Sequence, residues 1–315
     1  SALMFDVIYC VFPLRGITGG TRWVFRHVEA LRAMGVEAAV ALSEPRVPSW
    51  FDSAAPVIAV AEIARFPKAW VVLPEDARDG LRALAGLPNP KAVFCQSVHF
   101  IAWGLSGASS YSAFGIHHAM ASSQTIQDFC RWRLPDVETA LVPCVIDSAL
   151  FRSAAAKRPA IALMPRKRVV EANAIRDMMV HAHSDLAGVE WLPIENMSER
   201  ETAETLGRAA AFLSLSRLEG FGLTPLEAMA AGCLVAGFTG GGGLEYATRD
   251  NGLWVAEDDC RRAAEALAQV MRWHLAGAPE AEAMRAAGCR TVERYGEERF
   301  KAALAGFWAR RLGAR

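Results

Sequence analysis

The stretch "LEGFGLTPLEAMAAG" (Leu218–Gly232) joins a predicted buried strand, "AFLSLS" (residues 211–216), to a predicted helix. Thr224 is a favoured N-cap residue, and Pro225 suits the first helical position because proline has no N–H to leave unpaired. Glu227 stands three positions after Thr224 and completes the pattern of a capping box. The stretch therefore predicts a strand, a loop and a helix in succession, which is typical of an α/β fold.

The loop before this helix has the features of an anion site. The N–H groups of Gly222, Leu223 and Thr224 lie at the start of the helix, where backbone amides have no helical partner and the helix dipole favours negative charge. Glu219 and Glu227 flank these amides, eight positions apart. Acids on both sides of a phosphate are useful if they bind hydroxyl groups, and sugar and ribose hydroxyls fit that need. For Glu227, helix capping is the alternative role.

The rest of the chain repeats the pattern of strands and helices in two halves. Near the N-terminus a strand, a glycine-containing loop, a helix and a second strand follow one another, which predicts a parallel, right-handed βαβ unit. The predicted domains are residues 1–153 and 154–296, followed by an amphipathic terminal helix at 297–315. Between two doubly wound domains we expect a cleft, with ligands at the carboxyl ends of the strands.

Composition argues against several classes of protein. The 315 residues carry no net charge, so no global field directs the protein to nucleic acid or to anionic lipid. Seven scattered cysteines without a CxxC pair are typical of reduced thiols and indicate a cytoplasmic protein. Asp6 interrupts the apolar N-terminus, so no signal peptide is expected. No apolar run approaches the roughly 18 residues that a membrane span needs.

Several segments resemble one family of enzymes. "EGFGLTPLEAMAAG" resembles the E-x7-E motif of the retaining glycosyltransferases with the GT-B fold, of the family-4 type. "GCLVAGFTGGGGLEY" and "NGLWV" resemble the segments that follow this motif in the family. "VPCVIDSALF" resembles the segment that ends the family's first domain, with Cys144 and Val145 in place of Asn-Gly. The resemblance covers most of the chain and is specific in residues 212–255.

The resemblance implies an α/β protein of the GT-B type. Two Rossmann-like doubly wound domains would face each other across a cleft, and the terminal helix would cross back to the first domain. In the family the second glutamate of the motif binds the nucleotide ribose, which is here Glu227, and the first, here Glu219, faces the donor sugar at the reacting centre. The amides of Gly222, Leu223 and Thr224 would bind the donor diphosphate, in agreement with the anion site described above.

Two further groups of residues are implied in donor binding. The family grips the diphosphate with a basic pair early in the second domain, which corresponds here to Arg166 and Lys167, with Arg168 as the alternative to Lys167. Gly19 and Gly20 stand where the first domain's loop meets the donor phosphate in the family. A tight turn into a helix is the alternative explanation of these two glycines.

The first domain departs from the family at the position of a histidine that faces the donor sugar. Gln96 holds that position and His99 follows three residues later, and either side chain can hydrogen-bond a sugar hydroxyl. A structural role is the alternative for His99. Because the sequence has no D-x-D triplet, we expect no metal site, and we expect no cofactor besides the nucleotide-sugar substrate.

The expected enzyme is a hexosyltransferase-type glycosyltransferase that acts in polysaccharide biosynthesis. It would move a sugar from a nucleotide-diphosphate-sugar donor to a glycan or lipid-linked acceptor, and family membership implies retention of configuration. We expect no nucleic-acid partner. Arginines of the terminal helix allow weak peripheral membrane association, although core packing of its apolar residues is the preferred interpretation. The nucleobase (UDP, GDP or dTDP), the sugar, the acceptor and the oligomeric state stay open.

Three other functions are compatible with parts of the sequence. A sugar-nucleotide 2-epimerase has a similar two-domain architecture, but the E-x7-E context argues against it. A non-catalytic nucleotide-sugar-binding module would explain Gln96 and the missing Asn-Gly, but it would not need the intact pair of acids. A dehydrogenase is the weakest alternative, because "GITGG" is not the G-x-G-x-x-G fingerprint of dinucleotide binding.

Overall fold

The computed structural model describes residues 4–12 and 19–313, so most of the predicted glycine-containing loop, residues 14–18, lies outside the described residues. The chain forms two compact units. Unit 1 comprises the residues up to Cys144 together with those from Glu297 onward, and unit 2 comprises Val145–Gly296. The division falls after Cys144 rather than near residue 153, because the intervening segment bonds to unit 2. The N–H of Ile146 donates to the carbonyl of Tyr295 at 3.1 Å.

Unit 1 contains a seven-stranded parallel sheet in the order β3-β2-β1-β4-β5-β6-β7. Its strands are β1 (Val7–Cys10), β2 (Ala38–Leu42), β3 (Val57–Ala59), β4 (Trp70–Pro74), β5 (Lys91–Cys95), β6 (His118–Ala121) and β7 (Glu138–Leu141). Its first helices are α1 (Gly19–Ala33), α2 (Arg78–Leu84), α3 (Ile101–Leu105) and α4 (Gln124–Arg133). The order reverses its direction of growth between β1 and β4, which are neighbours.

Unit 2 contains a five-stranded parallel sheet in the order β12-β11-β10-β8-β9. Its strands are β8 (Arg158–Leu163), β9 (Glu190–Pro193), β10 (Ala209–Leu215), β11 (Leu234–Phe238) and β12 (Leu253–Trp254). Its helices are α5 (Val169–Ala182), α6 (Glu199–Arg208), α7 (Leu223–Ala230), α8 (Cys260–Ala276) and α9 (Pro279–Glu293). Here the order reverses between the neighbouring strands β8 and β10.

The central strands form because their sequences are short, almost continuous apolar runs. Every residue of β10 and of β11 is buried, as expected for parallel strands that are covered on both faces. The predicted α/β class is confirmed. The sequence analysis missed β3, a half-buried strand of three residues at the edge of its sheet, because so short a run gives little periodic signal.

The terminal helix α10 (Glu297–Leu312) belongs to unit 1. Its Phe300, Leu304, Phe307 and Trp308 are buried, which confirms the predicted core packing of this helix. The indole N–H of Trp308 donates to the hydroxyl of Tyr9 at 3.2 Å, and this anchors the helix to β1. Within the described part of the chain, every helix is too short or too polar to traverse a lipid bilayer.

Candidate active site

The candidate site lies at the carboxyl edge of the unit 2 sheet, where β8 and β10 end side by side. After β8 the sheet grows in one direction through β9, and after β10 it grows in the other through β11. Ligands of open α/β sheets bind at such a switch point, because the loops after the two strands leave in opposite directions. The loops concerned are residues 164–168 after β8 and 216–222 after β10.

The loop 216–222 is held by a glycine turn that follows β11. Leu218 adopts a left-handed backbone with φ of 48°. The N–H of Glu219 donates to the carbonyl of Gly240 at 2.9 Å, and this bond fixes the backbone of the glutamate. A Cβ on Gly242 would lie 2.7 Å from the carbonyl oxygen of Glu219, so only glycine allows the turn to approach the loop this closely.

Helix α7 begins two residues earlier than predicted, and its N-cap residue provides no side-chain cap. Its N-cap is Gly222, with φ of 89°, and Thr224 lies inside the first turn. The predicted capping box of Thr224 and Glu227 is therefore wrong, since Glu227 falls at the fifth helical position and is buried. Pro225 occupies the third position, which still needs no intrahelical N–H. The shift follows from the left-handed Gly222, which lets the chain enter the helix directly from the loop.

The start of α7 is an open helix end. No side chain caps it and its first turn contains no acidic residue, as far as the described residues extend. The hydroxyl of the buried Tyr246 donates to the carbonyl of Gly222 at 2.6 Å, and its ring packs edge-on against Phe221. These contacts hold the amides of Gly222, Leu223 and Thr224 in place without occupying them, which is the arrangement that binds anions.

Lys167 and Glu219 are brought together from the two loops. The Lys167 ammonium lies 2.6 Å from Oε1 of Glu219 and 3.4 Å from the carbonyl of Arg217. Their side chains are 38% and 25% exposed, so this ion pair faces solvent. Arg166 is exposed beside it. The site therefore presents a cation, a carboxylate and a helix amino end at one edge of the sheet.

Arg168 has a different environment from its two basic neighbours. Its side chain is only 2% exposed. Its Nη2 contacts Oε2 of Glu257, its Nη1 lies 2.5 Å from Oδ1 of Asp258, and its Nε donates to the carbonyl of Ser216 at 3.1 Å. All three guanidinium nitrogens are thus engaged by protein oxygens, whereas Arg166 and Lys167 face solvent.

The predicted site residues of unit 1 lie at the carboxyl edge of its own sheet. Gly19 and Gly20 are the first two residues of α1. The amide nitrogen Nε2 of Gln96 donates to the carbonyl of Gly20 at 2.9 Å, so these two residues are in contact. His99 is exposed in the short 3-10 turn Val98–Phe100.

Comparison with known proteins gives the family. Residues 181–288 match the family model "Glycosyl transferases group 1". The chain is 26% identical over 247 residues to an alpha-1,6-glucosyltransferase of Actinobacillus pleuropneumoniae, and the match covers 74% of this chain and 72% of the relative. Both similarities support a group 1 glycosyltransferase. This confirms the family and the enzyme class that the sequence predicted.

Solved structures of low sequence identity share the fold of this glycosyltransferase. Sucrose-phosphate synthase from Thermosynechococcus elongatus is 15% identical, with a TM-score of 0.68 and coverage of 97% of this chain and 98% of the synthase. HepE of Anabaena, solved in complex with UDP-glucose, is 13% identical, with a TM-score of 0.68 and coverage of 96% of this chain and 99% of HepE. These similarities confirm the predicted GT-B fold.

Two residues of this glycosyltransferase escaped the sequence analysis. Tyr246 supports the start of α7, and the only signal for it is an aromatic residue just after the glycine turn. Glu75 follows β4 at the switch point of unit 1 and is buried. Burial, together with the neighbouring Asp76, raises the pKa of its carboxyl to about 8. An acid directly after a buried strand, as in "VVLPED", is the pattern that would have found it.

Proposed function

We propose that this glycosyltransferase moves a hexose from a nucleotide-diphosphate-sugar donor to an acceptor hydroxyl, with retention of configuration and without a metal ion or resident cofactor. The observation that carries the proposal is the meeting of Lys167, Glu219 and the open amino end of α7 at the switch point of unit 2. A cation and unpaired amides suit a diphosphate, and a carboxylate beside them suits sugar hydroxyls.

The diphosphate would lie against the amides of Gly222, Leu223 and Thr224, with Lys167 and the exposed Arg166 as its cations. These groups would stabilise the negative charge that grows on the leaving nucleoside diphosphate as the bond to the sugar breaks. The helix end contributes through its dipole, and the two side chains contribute full charges. The solvent-facing position of Lys167 and Arg166, against the buried position of Arg168, supports this choice of the basic pair.

Glu219 would face the donor sugar at the reacting carbon, which gains oxocarbenium character. Its carboxylate is paired with Lys167. When a diphosphate engages the ammonium, the carboxylate is free to hydrogen-bond the sugar. Glu227 would bind the nucleotide ribose, and its buried position within α7 restricts that contact to one face of the helix. Retention is implied by the resemblance to the E-x7-E enzymes.

UDP-glucose is the first donor to test. The matching relative from Actinobacillus pleuropneumoniae is a glucosyltransferase, and a protein of the same fold was solved with UDP-glucose. We infer a glycan or lipid-linked acceptor, used in the synthesis of a surface polysaccharide. A cytoplasmic location fits seven free cysteines, of which five are buried.

The decisive experiment measures nucleotide release and sugar transfer with UDP-, GDP- and dTDP-linked donors and saccharide acceptors. In Glu219→Gln, transfer should fall by about 100-fold or more while nucleotide affinity stays within about threefold, because the carboxylate acts on the sugar. Glu204→Gln, an exposed glutamate of α6, is the matched control.

Three outcomes would overturn the proposal. Wild-type activity in Glu219→Gln would remove the catalytic role of that carboxylate. Donor binding without nucleotide release would indicate a binding module. Conversion of the donor to a second sugar nucleotide, without an acceptor, would indicate an epimerase.

A further inference from the structure

Arg168 is the most enclosed basic side chain near the candidate site. It lies five residues after the end of β8, at the N-cap of α5, and is 2% exposed. Three acids surround its guanidinium: Glu257, Asp258 and, at 3.5 Å from Nη1, Glu171. A buried guanidinium that is matched by carboxylates is already neutralised, so its charge is not available to a diphosphate.

Two routes of hydrogen bonds lead from Arg168 to the loop 216–222, and the second reaches the backbone of Glu219. On the first, its Nε donates to the carbonyl of Ser216, where the loop 216–222 begins. On the second, the Nη2 of Arg168 donates to Oε2 of Glu257. The other carboxylate oxygen of Glu257, Oε1, accepts the N–H of Gly240 at 2.9 Å. The carbonyl of Gly240 then accepts the N–H of Glu219, also at 2.9 Å.

The same guanidinium is fixed from its other sides. Its carbon lies 4.3 Å from the centre of the Phe238 ring, at the end of β11. Asp258, which it contacts, has a left-handed φ of 67°, a backbone that costs free energy for a residue other than glycine. Arg168 therefore joins the segments after β8, β10 and β12 to the end of β11, and a lysine could not do so because it lacks the planar fork of donors.

We propose that Arg168 is a positioning residue for glycosyl transfer, an inference that rests on the proposed function. It sets the loop 216–222 and the glycine turn against each other, so that the Glu219 carboxylate meets the sugar at the reacting carbon. It acts through Ser216, Glu257 and Gly240 and does not touch the donor.

The test compares Arg168→Lys with Arg158→Lys. Arg158 is the first residue of β8, at the end of the strand opposite the site, where it is 54% exposed and pairs with Glu190 at 3.0 Å. Arg168→Lys should lower turnover at saturating donor by about tenfold or more, because a displacement of about 1 Å at a reacting centre costs this much. Affinity for UDP should stay within about threefold, and Arg158→Lys should match wild type.

Hydrogen exchange gives a readout that needs no turnover. In Arg168→Lys, peptides that contain Glu219 and Gly240 should exchange faster than in Arg158→Lys, since both amides depend on the Arg168 contacts. Glu257→Gln, which keeps Arg168 but weakens the second route, should show the same two effects at smaller size. In the double variant the losses should be less than additive.

Several results would overturn the inference. If Arg168→Lys bound UDP at least tenfold more weakly but kept its turnover at saturating donor, Arg168 would be a direct ligand. Unchanged hydrogen exchange in both peptides of Arg168→Lys would show that it does not hold the loop. Full turnover in Arg168→Lys and in Glu257→Gln would also reject it. If wild type released no nucleotide from any donor, the proposed function would fail, while the exchange experiment would still decide whether Arg168 holds the loop.

Discussion

Helices α6 and α7 of unit 2 begin with the same short pattern and are completed differently. Ser198 immediately precedes α6, and Glu201 is the third residue of that helix. Thr224 and Glu227 have the same spacing at α7. At α6 the Ser198 hydroxyl accepts the N–H of Glu201 at 3.2 Å, and the Glu201 carboxylate accepts the N–H of Ser198 at 2.7 Å. At α7 the N-cap is Gly222, which has no side chain, and Thr224 lies inside the first turn.

The two helix ends also differ in charge. The first turn of α6 holds two acids, Glu199 and Glu201, which neutralise the positive end of its dipole. The first turn of α7 holds none, and Lys167 stands on the neighbouring loop. α6 follows β9 at the edge of its sheet, whereas α7 follows β10 at the switch point. A helix end that closes itself serves stability, and one left open at a switch point is available to an anion.

The largest expected effect concerns the cation beside the open end. Lys167→Ala should weaken the binding of UDP by about 10- to 100-fold, because a charge-assisted hydrogen bond contributes about 1.5–3 kcal/mol. The freed Glu219 carboxylate would add repulsion in the same direction. Isothermal titration calorimetry measures the change, with the exposed Lys68→Ala in unit 1 as the control. If Lys167→Ala bound UDP as tightly as wild type, the open end of α7 would not be the phosphate site.

The next effect concerns the glycine turn, which supports α7 and has no counterpart at α6. Gly242→Ala places a Cβ 2.7 Å from the Glu219 carbonyl, and we expect the free energy of unfolding to fall by about 1–3 kcal/mol. Gly188→Ala in the same unit meets no atom within 4 Å and should change it by less than about 0.5 kcal/mol. Denaturant unfolding gives both values. Equal free energies of unfolding for the two variants would show that stability does not depend on the close contact between the glycine turn and the loop 216–222.

Much of the fold could be predicted because the local sequence of most strands and helices favours the same structure that the whole fold requires. The buried runs of β10 and β11 are apolar throughout, and the Ser198 box is formed as its spacing predicted. The choice between a closed and an open helix end could not be predicted in the same way. It depends on the left-handed backbone of Gly222 and on Tyr246, which bonds to that glycine from 24 residues away.

The three basic residues after β8 are a second feature whose roles could not be predicted from the sequence. Arg166, Lys167 and Arg168 are adjacent and chemically similar in sequence. Arg168 is buried only because Glu257 and Asp258, about 90 residues later, return to meet it. Periodicity and motif spacing carry no information about such a contact. The sequence could therefore indicate a phosphate site at this loop but could not divide the three residues between ligand binding and support.

The smallest effect separates the two capping patterns directly. Ser198→Ala should lower the free energy of unfolding by about 1 kcal/mol, the usual contribution of an N-cap side chain. Thr224→Ala should change it by less than about 0.5 kcal/mol, because Thr224 lies inside the first turn of α7 and is not its N-cap. Both values come from denaturant unfolding at pH 7.

The pH dependence of this pair tests the cause of the difference. The N–H and hydroxyl of Ser198 hold the pKa of Glu201 below its ordinary value of 4.5. A carboxyl whose pKa is lowered by folding adds stability above its unfolded pKa, and this stability is lost as the pH falls through the folded value. The difference between wild type and Ser198→Ala should therefore shrink below pH 4.5, whereas that for Thr224→Ala should not change. Suppose that Thr224→Ala lowered the free energy of unfolding as much as Ser198→Ala, and that this loss also became smaller below pH 4.5. The start of α7 would then be capped by its own side chains, and its amides would not be available to a phosphate.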